Sequence, residues 1–148
     1  LDEAQAMLDR VTATAAVEGL VYRLDVARPA NTFDAHRLLH LAGERGRRAE
    51  LEEQLMAACL TRGESVGDPE LLVRGAVGAG LDGDDARAVL AGDAYAGAVR
   101  ADEEEARRLG IHAVPFFVID GQGLAGAQPA DTLLAALERA HAAPATLE

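Results

Sequence analysis

Few side chains in this sequence are of types that carry out chemistry by themselves. Cys59 is the single cysteine, so these 148 residues cannot close an internal disulfide or build a Cys-rich zinc site. It lies in the apolar run Leu55–Leu60, with no adjacent histidine and no helix start to activate a thiolate. The pattern therefore predicts a small, buried and inert cysteine rather than a nucleophile.

Two histidines, His36 and His40, are four residues apart, a spacing that brings two imidazoles to one face of a helix. Together with Asp34 they suggest a metal site. A zinc centre needs a third firmly placed protein ligand, and neither His112 nor His141 lies in a supporting pattern. We therefore predict no metal site.

A proline stands at the entrance of a strand pattern in the stretch GIHAVPFFVIDG, residues 110–121. Phe116–Ile119 is aromatic or β-branched throughout and is closed by Asp120–Gly121, a turn signal, so it predicts a buried strand. Pro115 cannot donate a ladder hydrogen bond. The residues alone leave two interpretations open. Either a trans proline begins an edge strand, or a cis proline frees the backbone of Val114 to present a strand-like edge to a peptide or thiol.

The composition is that of a globular protein, with 49% hydrophobic and 26% charged residues. The sequence has no lysine, so all 14 of its Lys or Arg residues are arginines. The net charge is −11, which argues against a nucleic-acid partner. No apolar run is long enough to span a membrane, and no signal peptide is visible at the start of the sequence. The single cysteine fits a reducing compartment, so we expect a cytoplasmic location.

The elements that must position these residues follow from hydrophobic periodicity. Helical patterns cover residues 2–18, 34–44, 47–61, 68–79, 82–90, 94–109 and 129–141, and strand patterns cover Leu20–Leu24, Phe116–Ile119 and Leu124–Gly126. Asn31 or Thr32 is expected to cap the second helix, and Asp68 the fourth. The order predicts an α/β fold interrupted by an all-helical insertion.

The run LGIHAVPFFVIDG, followed by AGAQPADTLLAAL, resembles the C-terminal half of thioredoxin-fold proteins of the DsbA family. The stretches ANTFDAHRLLHLA and GDPELL…GLDGDDARAVL are similar to its FrnE-like branch, which is related to 2-hydroxychromene-2-carboxylate isomerases and kappa-class glutathione transferases. The resemblance extends to Ala140. It implies a thioredoxin-like fold, incomplete at the N-terminus, formed by residues 1–30 and 106–143, with residues 31–105 as the helical insertion.

The resemblance also implies a substrate site. In this family the loop before the strand is a cis-proline loop that faces the redox cysteines, and three residues match it: Ala113, Val114 and Pro115. It therefore implies a cis bond at Pro115. Three more residues lie where the family's next helix approaches the active-site cleft: Asn31, Thr32 and His36. For Asn31 and Thr32 a plain helix-capping role remains the alternative.

The sequence departs from the family pattern in one large respect. The family's CxxC lies at the end of the first strand, where the following helix start stabilises a thiolate, and no CxxC occurs here. Leu1 falls within a helical pattern and no Met precedes it, so we expect the chain to begin partway through a larger protein. The other interpretation is a divergent copy that lost the strand and its cysteines.

Three functions therefore stay open. The first is a DsbA/FrnE-like thiol-disulfide oxidoreductase, inactive without its CxxC and acting on a thiol or disulfide substrate protein. The second is a glutathione-dependent isomerase or transferase, in which a serine replaces the first cysteine. The third is a non-catalytic interaction module. Beyond glutathione in the second case we expect no cofactor. We also expect a homodimer or a swapped N-terminal segment to fill the slot between Leu20–Leu24 and Phe116–Ile119 if the missing strand is not supplied by the native chain.

Overall fold

The computed structural model describes residues 2–142, so Leu1 and residue 143 of the expected boundaries lie outside the described residues. Its α-helices are α1 (Asp2–Val17), α2 (Phe33–Glu44), α3 (Arg48–Met56), α4 (Pro69–Gly78), α5 (Gly83–Ala91), α6 (Ala96–Arg108) and α7 (Ala130–Ala142). The strands are β1 (Phe116–Ile119) and β2 (Gln122–Ala125), and a π-helical segment, Ala57–Thr61, extends α3. The chain divides into two compact units, with the boundary in the sequence between Ala101 and Asp102.

The core of the first unit is a helical cluster. Helix α2 packs against α3, α4 and α5, while α3 packs against α4 and α4 against α5. The largest side chains that are fully buried here are Leu38, Leu51 and Leu72, one from each of α2, α3 and α4. Burial of a leucine side chain stabilises a fold by about 1.5–3 kcal/mol, so these three helices are held together mainly by their apolar faces.

Two of the helices begin at aspartate caps, and the sequence predicts the first of them, Asp68. The Asp68 carboxylate accepts a hydrogen bond from the Glu70 N–H, and Pro69 occupies the first helical position of α4. The Asp82 carboxylate accepts from two backbone N–H groups in the first turn of α5. These bonds also hold the pKa of the Asp82 carboxyl below its usual value.

The predicted helix over residues 47–61 is interrupted in its last turns. The five residues Ala57–Thr61 form a π-helix, and the element closes at Gly63, whose φ is +67°. The Arg23 N–H donates to the Leu60 carbonyl at 2.6 Å, which satisfies a carbonyl at the helix end. A Cβ atom at Gly63 would lie 2.5 Å from Val26 Cγ2, so this glycine is also required by close packing against the incoming chain.

The strand predicted over Leu20–Leu24 is wrong. These residues are irregular, Val21 is 65% exposed, and no strand is present in the described part of the first unit to pair with them. A β-strand forms only where a neighbouring strand pairs with its backbone N–H and C=O groups. β-Propensity alone does not supply those hydrogen bonds. Backbone bonds to other elements hold this segment, since the Leu20 N–H donates to the Ala15 carbonyl and the Arg23 N–H to the Leu60 carbonyl.

The second unit contains the end of α6, a β-hairpin and α7, which packs against β1. The two strands are antiparallel, with Phe116 opposite Ala125 and Ile119 opposite Gln122. The strand expected over Leu124–Gly126 therefore begins two residues earlier, because the turn has only two central residues. The division into a thioredoxin-like portion and an insertion remains a prediction.

Among the described residues, no helix has both the length and the apolar character that crossing a bilayer requires.

Candidate substrate-binding site

The β1–β2 hairpin is shaped by its turn. Asp120 and Gly121 form the two-residue connection, with φ values of +49° and +73°. Positive φ at both central residues is what a type I′ turn requires, and Asp-Gly is one of the dipeptides that adopts it most readily. The turn thereby sets the register of the hairpin and the position of Pro115, one residue before β1.

Pro115, the residue before β1, extends the β1–β2 hydrogen-bond ladder through its carbonyl group alone. The Gly126 N–H donates to the Pro115 carbonyl at 2.8 Å, and proline has no N–H to return that bond. The peptide bond between Val114 and Pro115 is cis, as the sequence pattern and the resemblance together predict.

The outer edge of β1 presents backbone groups for pairing. Bonded and non-bonded positions alternate along an antiparallel ladder. Since Pro115 is a bonded position, the alternation leaves the N–H and C=O groups of Phe116 and Val118 directed away from β2. The sheet in the described residues has only the two strands, so this edge carries no strand partner within them. Such an edge is a template for an added strand.

The loop in front of this edge exposes an apolar side chain. Val114 is 88% exposed, and Ala113 and Pro115 are also exposed. An exposed valine next to free backbone groups can contact an extended peptide by both its side chain and its main chain. The arrangement suits binding of an extended chain rather than acid–base chemistry.

The other predicted residues lie at the start of α2, in the first unit. The Asn31 side-chain oxygen accepts a hydrogen bond from the Phe33 N–H at 2.9 Å, so Asn31 satisfies the first N–H group of α2 from the position before the N-cap. Thr32 occupies the N-cap position but makes no side-chain capping bond, and His36 is exposed. The six predicted residues thus form two groups, one in each unit.

The sequence did not predict one contact at the start of α2. The Arg100 guanidinium of α6 lies over the Phe33 ring, with 5.0 Å between Cζ and the ring centroid. This is a cation–π distance. Nothing in the sequence pattern relates an arginine in one helix to an aromatic residue in a distant one, so only tertiary packing brings them together.

The remaining residues considered from the sequence lie apart from both groups. Cys59 is in the π-helical segment and is partly buried against the core, so the prediction of a buried cysteine is only half right. The His40 ring stacks on Tyr95, with centroids 6.3 Å apart. In residues 2–142, no cluster of three or more His, Cys, Asp or Glu side chains is arranged to hold a metal ion.

Comparison with known proteins places this geometry in context. No curated protein matches the chain. Among solved structures, a probable DsbA oxidoreductase from Streptomyces coelicolor superposes with a TM-score of 0.92 at 49% sequence identity. The match covers 99% of this chain and 64% of the other, so the chain spans about two thirds of that relative's length. The sequence model of the DSBA-like thioredoxin domain matches residues 2–138, and the chain therefore belongs to the DSBA-like thioredoxin domain family.

Proposed function

We propose that this chain is the substrate-holding part of a DsbA-like thiol-disulfide oxidoreductase of the FrnE-like branch. The observation that carries the proposal is the open edge of β1 behind the exposed loop Ala113–Pro115. An extended peptide bound there places its cysteine beside the position in which the family holds its CxxC. For Asn31, Thr32 and His36, a contact with substrate rests on the resemblance alone. The likeness to a probable DsbA oxidoreductase supports this function over the isomerase and the interaction module.

The redox step needs residues from outside this stretch. Disulfide exchange requires a thiolate to attack a disulfide and a second thiol to resolve the mixed disulfide. These 148 residues contain one cysteine, which is partly buried against the helical core of the first unit. We therefore propose that the CxxC comes from a further segment of a longer protein, or from a partner chain as in a swapped dimer. By itself the chain binds substrate without oxidising or reducing it, and it acts in the cytoplasm.

Peptide binding tests the substrate edge directly. A capped tetrapeptide, Ala-Cys-Val-Ala with an S-methylated cysteine, cannot react with Cys59 and carries no charge. Titrated into the ¹⁵N-labelled chain, it is expected to shift the amide resonances of Ala113, Val114, Phe116 and Val118. Substitution Val114→Asp should weaken binding and reduce these shifts, because the apolar contact is lost and a bound peptide would remove water from the carboxylate, while the 88% exposed site carries little packing.

A matched control separates local from general effects. Val17 is 84% exposed at the end of α1, so Val17→Asp changes the net charge equally at a comparably exposed valine. It should leave binding intact. Shifts that avoid the hairpin, or equal loss of binding in both variants, would refute the proposed site.

Two further measurements distinguish the proposed functions. The chain alone should not accelerate reduction of insulin by dithiothreitol, and acceleration would show that it carries a complete redox centre. S-Methylglutathione is expected to bind no better than the tetrapeptide. Clearly tighter binding of S-methylglutathione at the hairpin would favour the glutathione-dependent isomerase or transferase.

A further inference from the structure

We infer that the first unit contains a docking site for an arginine side chain of a partner peptide, in a cavity between the end of α2 and the start of α5. Every residue of this site belongs to the first unit, and none belongs to the substrate edge at β1. The inference therefore goes beyond the proposed function and does not depend on it. It names a second binding surface and the chemistry of the partner that fits it.

The cavity is the first step. It has a volume of about 270 Å³ and lies between two packed helices of the helical cluster. Its lining combines apolar side chains of α2 and α5 with three polar residues, and it includes Leu41, Ala88, Val89, Arg45, Asp85 and Tyr95. Leu41 and Val89 are buried, so they form an apolar floor. Apolar walls with a small number of polar groups are the usual composition of a ligand pocket.

Tyr95 supplies an aromatic wall, and contacts fix its orientation. Its φ of +62° is unfavourable for a bulky residue, so the position of the ring depends on its surroundings. The ring stacks on His40, with centroids 6.3 Å apart and planes inclined by 8°, and the hydroxyl donates to the Glu44 carboxylate at 2.6 Å. A ring held in this way is a preformed surface for a cation.

The carboxylates around the cavity favour a cationic ligand. Asp85 lies in the lining, and Glu44 accepts the hydrogen bond of the Tyr95 hydroxyl. The net charge of −11 also attracts cations at long range. A guanidinium uses both contacts that the site offers, since it stacks on an aromatic ring and binds a carboxylate through two parallel hydrogen bonds. An ammonium group lacks this planar fork, so the site favours arginine over lysine.

Arg45 occupies the carboxylate of this site in the free chain. Its guanidinium donates to Asp85 at 3.2 Å, and the two side chains are 58% and 51% exposed. The pKa of Tyr95 is raised, first by its bond to Glu44 and then by burial, and the charge of Arg45 opposes that rise from nearby. An ion pair this exposed contributes little stability, so an incoming arginine can displace Arg45 from Asp85. Arg45 is therefore an intramolecular competitor of the proposed ligand.

Two probes that differ in charge test the inference. Nα-Acetyl-arginine N-methylamide and its uncharged citrulline counterpart are titrated into the ¹⁵N-labelled chain at low salt. We expect the arginine probe to bind about three-fold more tightly, the scale of an exposed ion pair, and to shift the amides of Asp85, Ala88 and Tyr95. The lysine counterpart should bind less tightly than the arginine probe. The preference for arginine over citrulline should vanish at about 1 M salt, where the Debye length is near 3 Å.

Three variants assign the effect to the cavity. Arg45→Gln removes the competitor and should tighten binding of the arginine probe about three-fold, whereas Asp85→Asn should remove the preference for arginine over citrulline. The control is Arg87→Gln, which breaks another exposed ion pair of α5, with Asp84, and makes the same change in net charge as Arg45→Gln. Neither Arg87 nor Asp84 lines the cavity, so this control should not tighten binding there. The spectra of the free variants report whether each has kept its fold.

Each outcome supports or overturns the docking site. Equal binding of the arginine and citrulline probes, or shifts that avoid Asp85, Ala88 and Tyr95, would refute it. An unchanged affinity in Arg45→Gln would show that Arg45 does not compete for the site and would also overturn the inference. Equal tightening in Arg87→Gln would reduce the effect to net charge, with the same consequence. None of these results bears on the substrate edge, which is tested with an uncharged peptide at the hairpin.

Discussion

Substitution of Arg37 by methionine tests how the first unit holds the start of α2. Arg37 is 5% exposed and donates to the carbonyls of Val89, Gly92 and Ala94 and to the carboxylate of Asp34. The Gly92 and Ala94 bonds are 2.7 and 2.8 Å long. These bonds tie the first turns of α2 to the end of α5 and the connection into α6. Methionine keeps the apolar stem and removes every donor.

The expected loss follows from the burial of each bond. The Val89 bond is buried, and an orphaned buried carbonyl costs about 1–3 kcal/mol. The Gly92 and Ala94 bonds are part-buried, so water recovers some of the loss, leaving about 0.5 kcal/mol for each. The Asp34 side chain is 46% exposed and its pair contributes little. The total is about 3 kcal/mol, a large part of the ~5–15 kcal/mol that stabilises a domain.

Urea unfolding followed by circular dichroism measures this change. With a slope of about 2 kcal/mol/M, a loss of about 3 kcal/mol lowers the midpoint by about 1.5 M. The control is Arg87→Met, which breaks an exposed pair with Asp84 and should change stability by less than about 0.5 kcal/mol. Arg37→Lys keeps the charge without the planar fork and should fall between the two. A loss below about 1 kcal/mol in Arg37→Met would show that these bonds do not hold the unit together.

Three further experiments test other parts of the molecule. In Gly123→Ala the new Cβ would lie 2.7 Å from the Phe116 ring, so the ring must move and amide exchange in the hairpin should speed up; unchanged exchange would contradict this packing. The pKa of Tyr95 is raised, first by its hydrogen bond to the Glu44 carboxylate and then by burial, so the bond stabilises the fold below the ordinary tyrosine pKa and is lost as pH rises through the raised one. Ultraviolet titration should therefore show a high-pKa phenol that is absent from Tyr95→Phe, and its persistence there would assign it elsewhere. Cys59 should react with Ellman's reagent much more slowly in the folded chain than in urea, and equal rates would mean that it is accessible.

The sequence was most informative where structure is decided within a few residues. Asp120–Gly121 predicts a turn because only certain residues accept positive φ at both central positions, and the turn forms there, with β2 beginning two residues earlier than expected. Asp68 predicts a helix start because its carboxylate satisfies a nearby N–H group, and α4 begins there. The same local logic failed for Leu20–Leu24, since a strand depends on partners that neighbouring residues cannot supply.

By itself, the sequence determined the family, the helical periodicity and the proline at the mouth of β1, all of which depend on local pattern or resemblance. Only the tertiary structure decided which polar groups meet. Arg37 reaches carbonyls more than fifty residues away because α2 packs against α5, and the Arg100 guanidinium of α6 lies over the Phe33 ring. No periodicity encodes such pairs: they arise when buried or stacked side chains satisfy their donors and charges with whatever the packed helices bring within reach.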